Sequence, residues 1–231
     1  MAAEVLPDIL RKYSAEIGPV LPLDLNGPAV CRLDFSAENP FWQDASLEDT
    51  ADFEAMVQAL LRAKNAAIGV GGYLEDRVIY RRSEHFTTAS EKRTIHLGVD
   101  VWLPAFTPVL APLNGRVHSF RDNSNFGDYG PCIILEHELE NQIFYTLYGH
   151  LTRLSLLNLA VGQRVNKGNI FSQVGPFPEN GDWPPHLHFQ VMTDMLSLAG
   201  DFPGVCAPSQ LAQFRQICPN PNLMLQCKYL D

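Results

Sequence analysis

The sequence predicts a mainly β fold, a sandwich or barrel of short antiparallel strands, behind an N-terminal α/β extension. Two observations carry this. From about residue 77, short apolar runs alternate with Gly, Pro and Asn turns at the spacing of an all-β domain, and no helical stretch interrupts them. Before that, residues 1–76 hold the one long stripe of helical period. The 231 residues are 46% hydrophobic and 19% charged, which is globular composition. A chain of this length buries a sizeable core without staples.

Residues 1–17 read as a short amphipathic helix interrupted near Pro7. Residues 18–45 are rich in Pro, Gly and Asn, with one strand-like run from Ala29 to Phe35. Ser46 is the expected N-cap of a helix, with an acid three residues on. Phe53, Met56, Val57, Leu60 and Leu61 then mark one helical face, which packs into the core. Gly69, Gly71 and Gly72 do not form a dinucleotide fingerprint and read as a hairpin turn. Strands are expected at Arg77–Arg82, Val99–Leu103, Val109–Ala111, Gly115–Phe120, Cys132–Glu136, Ile143–Tyr148, Ile170–Val174 and Leu187–Met192. The stretch from Asp122 to Asp128 lacks the glutamate of a calcium loop and reads as a hairpin loop beside a cleft. From Gly200 the chain is Pro-rich and irregular, with a short helix near Gln210–Gln216. The expected division is 1–76, 77–199 and a tail over 200–231.

Lys plus Arg number 17 and Asp plus Glu 26, a net charge of −9. That balance argues against nucleic acid and against an anionic membrane as partners. Five cysteines without CxxC spacing suggest neither a disulfide framework nor a thiolate zinc site. The N-terminus shows no basic segment followed by a long apolar one. The expectation is therefore a cytoplasmic protein with reduced, buried thiols.

The chemical signal lies in the histidines. In His186-Leu187-His188, strand alternation puts Leu187, Phe189 and Val191 on one face and His186, His188 and Gln190 on the other. Both imidazoles can then enter one cleft, their Cα atoms roughly 6.6 Å apart. His96 and Asp100 would lie roughly 13 Å apart along a flat strand, too far to share an ion. A bend at Gly98 would bring them together. Three N or O ligands with one open position make a catalytic zinc site. His96, Asp100 and one histidine of the pair supply that number. His150 and the other histidine are left for acid–base work. His85, His118 and His137 read as structural or solvent-exposed, and Tyr148 as core.

These motifs resemble the M23 zinc metallopeptidases, which include lysostaphin-like and LytM-like enzymes. The family order HxxxD, YxHL, HxH matches His96–Asp100, Tyr148–Leu151 and His186–His188. Arg93, the run from Ala111 to Val117, the turn from Val161 to Gly168 and the HLHF of His186–Phe189 fit as well. The resemblance covers roughly residues 90–195. It implies the duplicated hybrid motif, a barrel-sandwich, with Zn2+ held by His96, Asp100 and His188. It makes His150 and His186 the catalytic pair and a peptide or small amide the substrate. Against the family pattern, the loop Pro176–Pro185 is bulky and proline-stiffened, so a differently shaped groove is expected. Residues Gly181–Cys206 also resemble the M23-like part of chains that join a kinase-like domain to a class III aminotransferase, which would fit a cytosolic small-molecule role. A non-catalytic binding module is the alternative. A phosphohistidine carrier of related fold would lack the HxxxD pair.

Overall fold

The structure, a computed structural model, describes residues 5–42, 47–87 and 91–230. The fold is mainly β, as expected. Helix α1 (Val5–Lys12) buries Leu6, Ile9 and Leu10. Pro7 does not interrupt it, because proline in a first turn costs no hydrogen bond. Strand β1 (Val30–Leu33) leads to α2 (Thr50–Ala63). The expected cap Ser46 lies outside the described residues. The cap is Asp49, whose carboxylate accepts from the backbone N–H of Ala51 and Asp52 at 2.8 and 3.0 Å. Phe53, Val57 and Leu61 are buried, with Met56 and Leu60 at the edge of the same cluster.

Strand β2 (Ile68–Gly71) follows, so the glycines expected in a turn instead lie in and just after a strand. They serve close packing. A Cβ on Gly69 would meet Leu33 at 2.3 Å, and one on Gly71 would meet the Arg77 guanidinium at 2.7 Å. Residues Val78–Arg82 form a 3-10 turn rather than the expected strand. The turn buries Ile79, Tyr80 and Arg82.

Ten further strands are β3 (Ile95–His96), β4 (Val99–Trp102), β5 (Pro108–Leu110), β6 (Gly115–Asn123), β7 (Gly130–Leu139), β8 (Gln142–Gly149), β9 (Arg164–Val165), β10 (Ile170–Gln173), β11 (His186–Met192) and β12 (Val205–Cys206). One eight-stranded sheet runs β1-β2-β4-β11-β8-β7-β6-β9. Among the described residues only β1 and β2 pair in parallel, and the other pairings in this sheet are antiparallel. Ribbons β5–β10 and β3–β12 complete the strands. The segment before residue 77 thus contributes two strands to the main sheet. Beyond residue 200 the chain holds β12, α3 (Leu211–Ile217) and α4 (Asn222–Leu225), more structure than an irregular tail. No described helix is long and apolar enough to cross a membrane.

Strand β11 sits near the middle of the sheet and is buried along its whole length. Leu187, Phe189 and Val191 enter the largest core cluster with Val99, Val101, Ile133 and Tyr148. The opposite face of β11 therefore points its polar side chains into a second layer. That layer is closed by the 77–87 segment, the 176–185 loop and the chain after residue 198.

Candidate metal centre and adjoining histidines

Antiparallel pairing places Asp100 of β4 directly opposite His188 of β11. His96 comes from β3, which leaves the main sheet to pair with β12. The expected bend at Gly98 is there, and glycine is needed for a further reason. A Cβ at that position would stand 2.6 Å from the His188 ring. The three donor atoms form a small triangle. His96 Nε2 is 3.3 Å from Asp100 Oδ1, His188 Nδ1 is 3.1 Å from the same oxygen, and the two ring nitrogens are 3.0 Å apart. All three side chains are buried.

The partners of the other ring nitrogens fix which nitrogens carry protons. His96 Nδ1 faces the Gly72 carbonyl at 3.1 Å, which can only accept. His188 Nε2 faces Gln190 Oε1 at 2.9 Å. The Gln190 amide is oriented by donating to the Pro203 carbonyl and to Cys218 Sγ. His96 Nε2 and His188 Nδ1 therefore present lone pairs to each other and to a carboxylate oxygen. Such an arrangement repels itself unless a cation lies among the three. Donor atoms around a tetrahedral zinc are about 3.4 Å apart when each is about 2.1 Å from the ion. Spacing and donor chemistry thus fit zinc.

Charge agrees. Burial alone would raise the Asp100 carboxyl, but His96 and the Arg77 guanidinium hold it well below its ordinary range. Burial and Arg77 push His96 down to about 3, so it stays neutral and able to ligate.

His150 and His186 stand beside this triangle, their rings 4.1 Å apart. His150 directly follows β8 with a left-handed backbone, φ 61°, a conformation that non-glycine residues adopt at a cost. Its Nδ1 donates to the Asn180 carbonyl at 2.8 Å, and His186 Nδ1 donates to the Pro184 carbonyl at 2.8 Å. Both Nε2 atoms are left with lone pairs. His186 Nε2 lies 4.0 Å from Asp100 Oδ1, and its ring stacks on Trp102 at 4.1 Å. Burial lowers His186 to about 4 and His150 well below its ordinary value, aided there by His186.

The bulky loop explains part of this order. The Asn180 side chain is fully buried; it donates to the carbonyls of Gly175 and Trp183 and accepts from the Trp183 N–H. Trp183 Nε1 in turn donates to the Asp128 carbonyl. The loop is a wall of the site and supplies the two carbonyls that orient the histidine pair. A pocket opens over Asp100, His150, His186 and His188, and Gly127 and Asp128 of the β6–β7 loop lie beside it as expected.

The sequence reading missed several contributors. Tyr129 lines the pocket with its hydroxyl 3.4 Å from His188 Nε2, and Arg77 pairs with Asp100. Neither has a local signal. Gln190 did, since it shares the alternating face of the HxH pair. Of the remaining histidines, His137 is buried and His118 half-buried away from the pocket, whereas His85 lines its rim. Tyr148 is core.

The sequence profile described as Peptidase family M23 matches residues 94–199. No curated protein matches the chain. Among solved structures, a peptidase M23 candidate from Pseudomonas aeruginosa is 21% identical with a TM-score of 0.39, over 57% of this chain and 44% of its own. The catalytic domain of lysostaphin from Staphylococcus simulans is 26% identical with a TM-score of 0.37, over 52% of this chain and 80% of its own. LytU is 28% identical with a TM-score of 0.34, over 54% of this chain and 80% of its own. The family assignment rests on the profile match and on the three ordered motifs, whose side chains meet in one buried site. The segment 94–199, which carries His96, Asp100, His150, His186 and His188, belongs to peptidase family M23, a family of peptidase-type hydrolases.

Proposed function

We propose that this chain is a zinc-dependent hydrolase of peptide or amide bonds, with His96, Asp100 and His188 as ligands and His150 and His186 as the acid–base pair. The observation that carries the reading is the triangle of three lone-pair donors 3.0–3.3 Å apart, each held in that role by a partner behind it. Bound there, zinc supplies Lewis-acid activation of a carbonyl and of water. The chain's own residues do the rest. His150 and His186, neutral at pH 7 and oriented through Nδ1, each offer Nε2 as a proton acceptor. Once protonated, the same nitrogen becomes a donor, suited to a developing oxyanion or a departing amine. Trp183, Tyr80, Phe86 and Tyr129 line the pocket and limit water around the reacting bond. A pocket enclosed by residues from six stretches of the chain suits a short peptide.

The test is turnover of short peptides and glycine-rich peptides by zinc-loaded protein, with His150→Ala and His186→Ala alongside. Both variants are expected to retain zinc and to lose roughly 10²–10⁴ in rate. Wild-type protein that binds zinc and cleaves nothing across such a panel would favour the binding-module reading. Variants with undiminished turnover would place the chemistry elsewhere.

A further inference from the structure

Arg77 lies outside the family segment, yet its side chain is wholly buried against the metal triangle. Its Nη1 pairs with Asp100 Oδ2, and its Nε donates to Glu75 Oε2 at 2.6 Å. Nη1 also reaches the Tyr80 hydroxyl, and Nη2 the Gly72 carbonyl, each at 3.4 Å. That same carbonyl accepts from His96 Nδ1. One guanidinium is therefore tied to two of the three candidate ligands, directly to Asp100 and through Gly72 to His96.

Room for it is built in. Gly71 is the register partner of Asp100 on β2, and any Cβ there would intrude on Nη2. Gly71 and Arg77 are one device: the missing side chain lets a planar cation lie behind a carboxylate. The division of the carboxylate follows. Oδ2 faces the guanidinium, and Oδ1 faces His96 and His188. An aspartate held this way offers one oxygen to a cation rather than two.

We infer that Arg77 is a positioning residue of the metal site, which restricts Asp100 to a single donor oxygen and holds His96 in its ligating tautomer through Gly72. The inference rests on the metal-site reading of His96, Asp100 and His188. Lysine cannot replace it, because a point charge cannot hold Asp100, Glu75 and Gly72 together as a planar fork does.

The experiment measures zinc affinity of the full chain by competition with a chromophoric chelator, with cobalt(II) absorption as a coordination readout. Wild type is compared with Arg77→Lys, which keeps the buried charge, and with Gly71→Ala, which displaces the guanidinium without altering it. Each variant should bind zinc about 10–100-fold more weakly. Each should also show a weaker visible cobalt band, as the freed carboxylate raises the coordination number. A merely structural residue would alter thermal stability and leave the cobalt band unchanged. Should Gly71→Ala not fold, Arg77→Lys decides alone. Folded variants with wild-type affinity and an unchanged cobalt spectrum would overturn the role of Arg77 while leaving the metal site standing. Wild-type protein that takes up no zinc would overturn both.

Discussion

Acid should destabilise this fold through a histidine remote from the pocket. His137 on β7 is 2% exposed, with Nδ1 donating to the Asn114 carbonyl at 3.0 Å and Nε2 against the Thr146 hydroxyl at 2.8 Å. Burial lowers it from 6.5 to about 4, against the opposing pull of Asn114 and Glu136. The fold thus prefers the neutral ring. Above pH 6.5 neither folded nor unfolded chain protonates it, and its contribution is intact. As pH falls from about 6.5 to about 4, the unfolded chain takes up a proton that the folded chain refuses, so stability falls. Below about 4 both are protonated and the loss levels off. That gap, at about 1.4 kcal/mol per pH unit, costs about 3 kcal/mol. Urea unfolding between pH 7.5 and 4, with His137→Gln alongside, isolates the effect, because the site histidines are common to both proteins. The variant should be less stable at pH 7.5 and lose about 3 kcal/mol less on acidification. Parallel curves for the two proteins would refute the reasoning.

Three further outcomes are expected. Gly98→Ala should weaken zinc binding at least about 10-fold with secondary structure intact in circular dichroism, since the new methyl falls 2.6 Å from the His188 ring and a displaced ligand costs affinity. Asp49→Ala should lower stability by about 1 kcal/mol in denaturant unfolding, the usual cost of an N-cap whose side chain accepts from two backbone N–H groups. Thiol titration should find five thiols in denaturant without reductant and almost none in the native protein, because no disulfide joins Cys31, Cys132, Cys206, Cys218 or Cys227 and all five are buried.

The site was legible in sequence where local geometry determines it. Alternation along β11 alone sends Leu187 and Phe189 one way and His186 and His188 the other, and the structure keeps that division. The His96–Asp100 spacing demanded a bend, and Gly98 provides it. What sequence hid was set by partners far along the chain. Arg77 looked like the start of a strand because its destination, Asp100, is 23 residues away. Gly69 and Gly71 looked like a turn because nothing local announces a Leu33 side chain and a guanidinium packed against them. Tyr129 sits in a glycine-lined slot formed by Gly149 and Gly204, which no window around it reveals. The histidine tautomers were equally invisible, being fixed by carbonyls of Gly72, Asn180 and Pro184.

The central claim is that His96, Asp100 and His188 exist as a set to hold one zinc ion. Metal content of protein purified without chelator, repeated after dialysis against zinc, tests it most directly when measured on wild type, Asp100→Ala and His150→Ala together. The account predicts one zinc per chain in wild type and in His150→Ala, and little in Asp100→Ala. Wild-type protein that stays metal-free after zinc addition, or Asp100→Ala that loads as well as wild type, would contradict it.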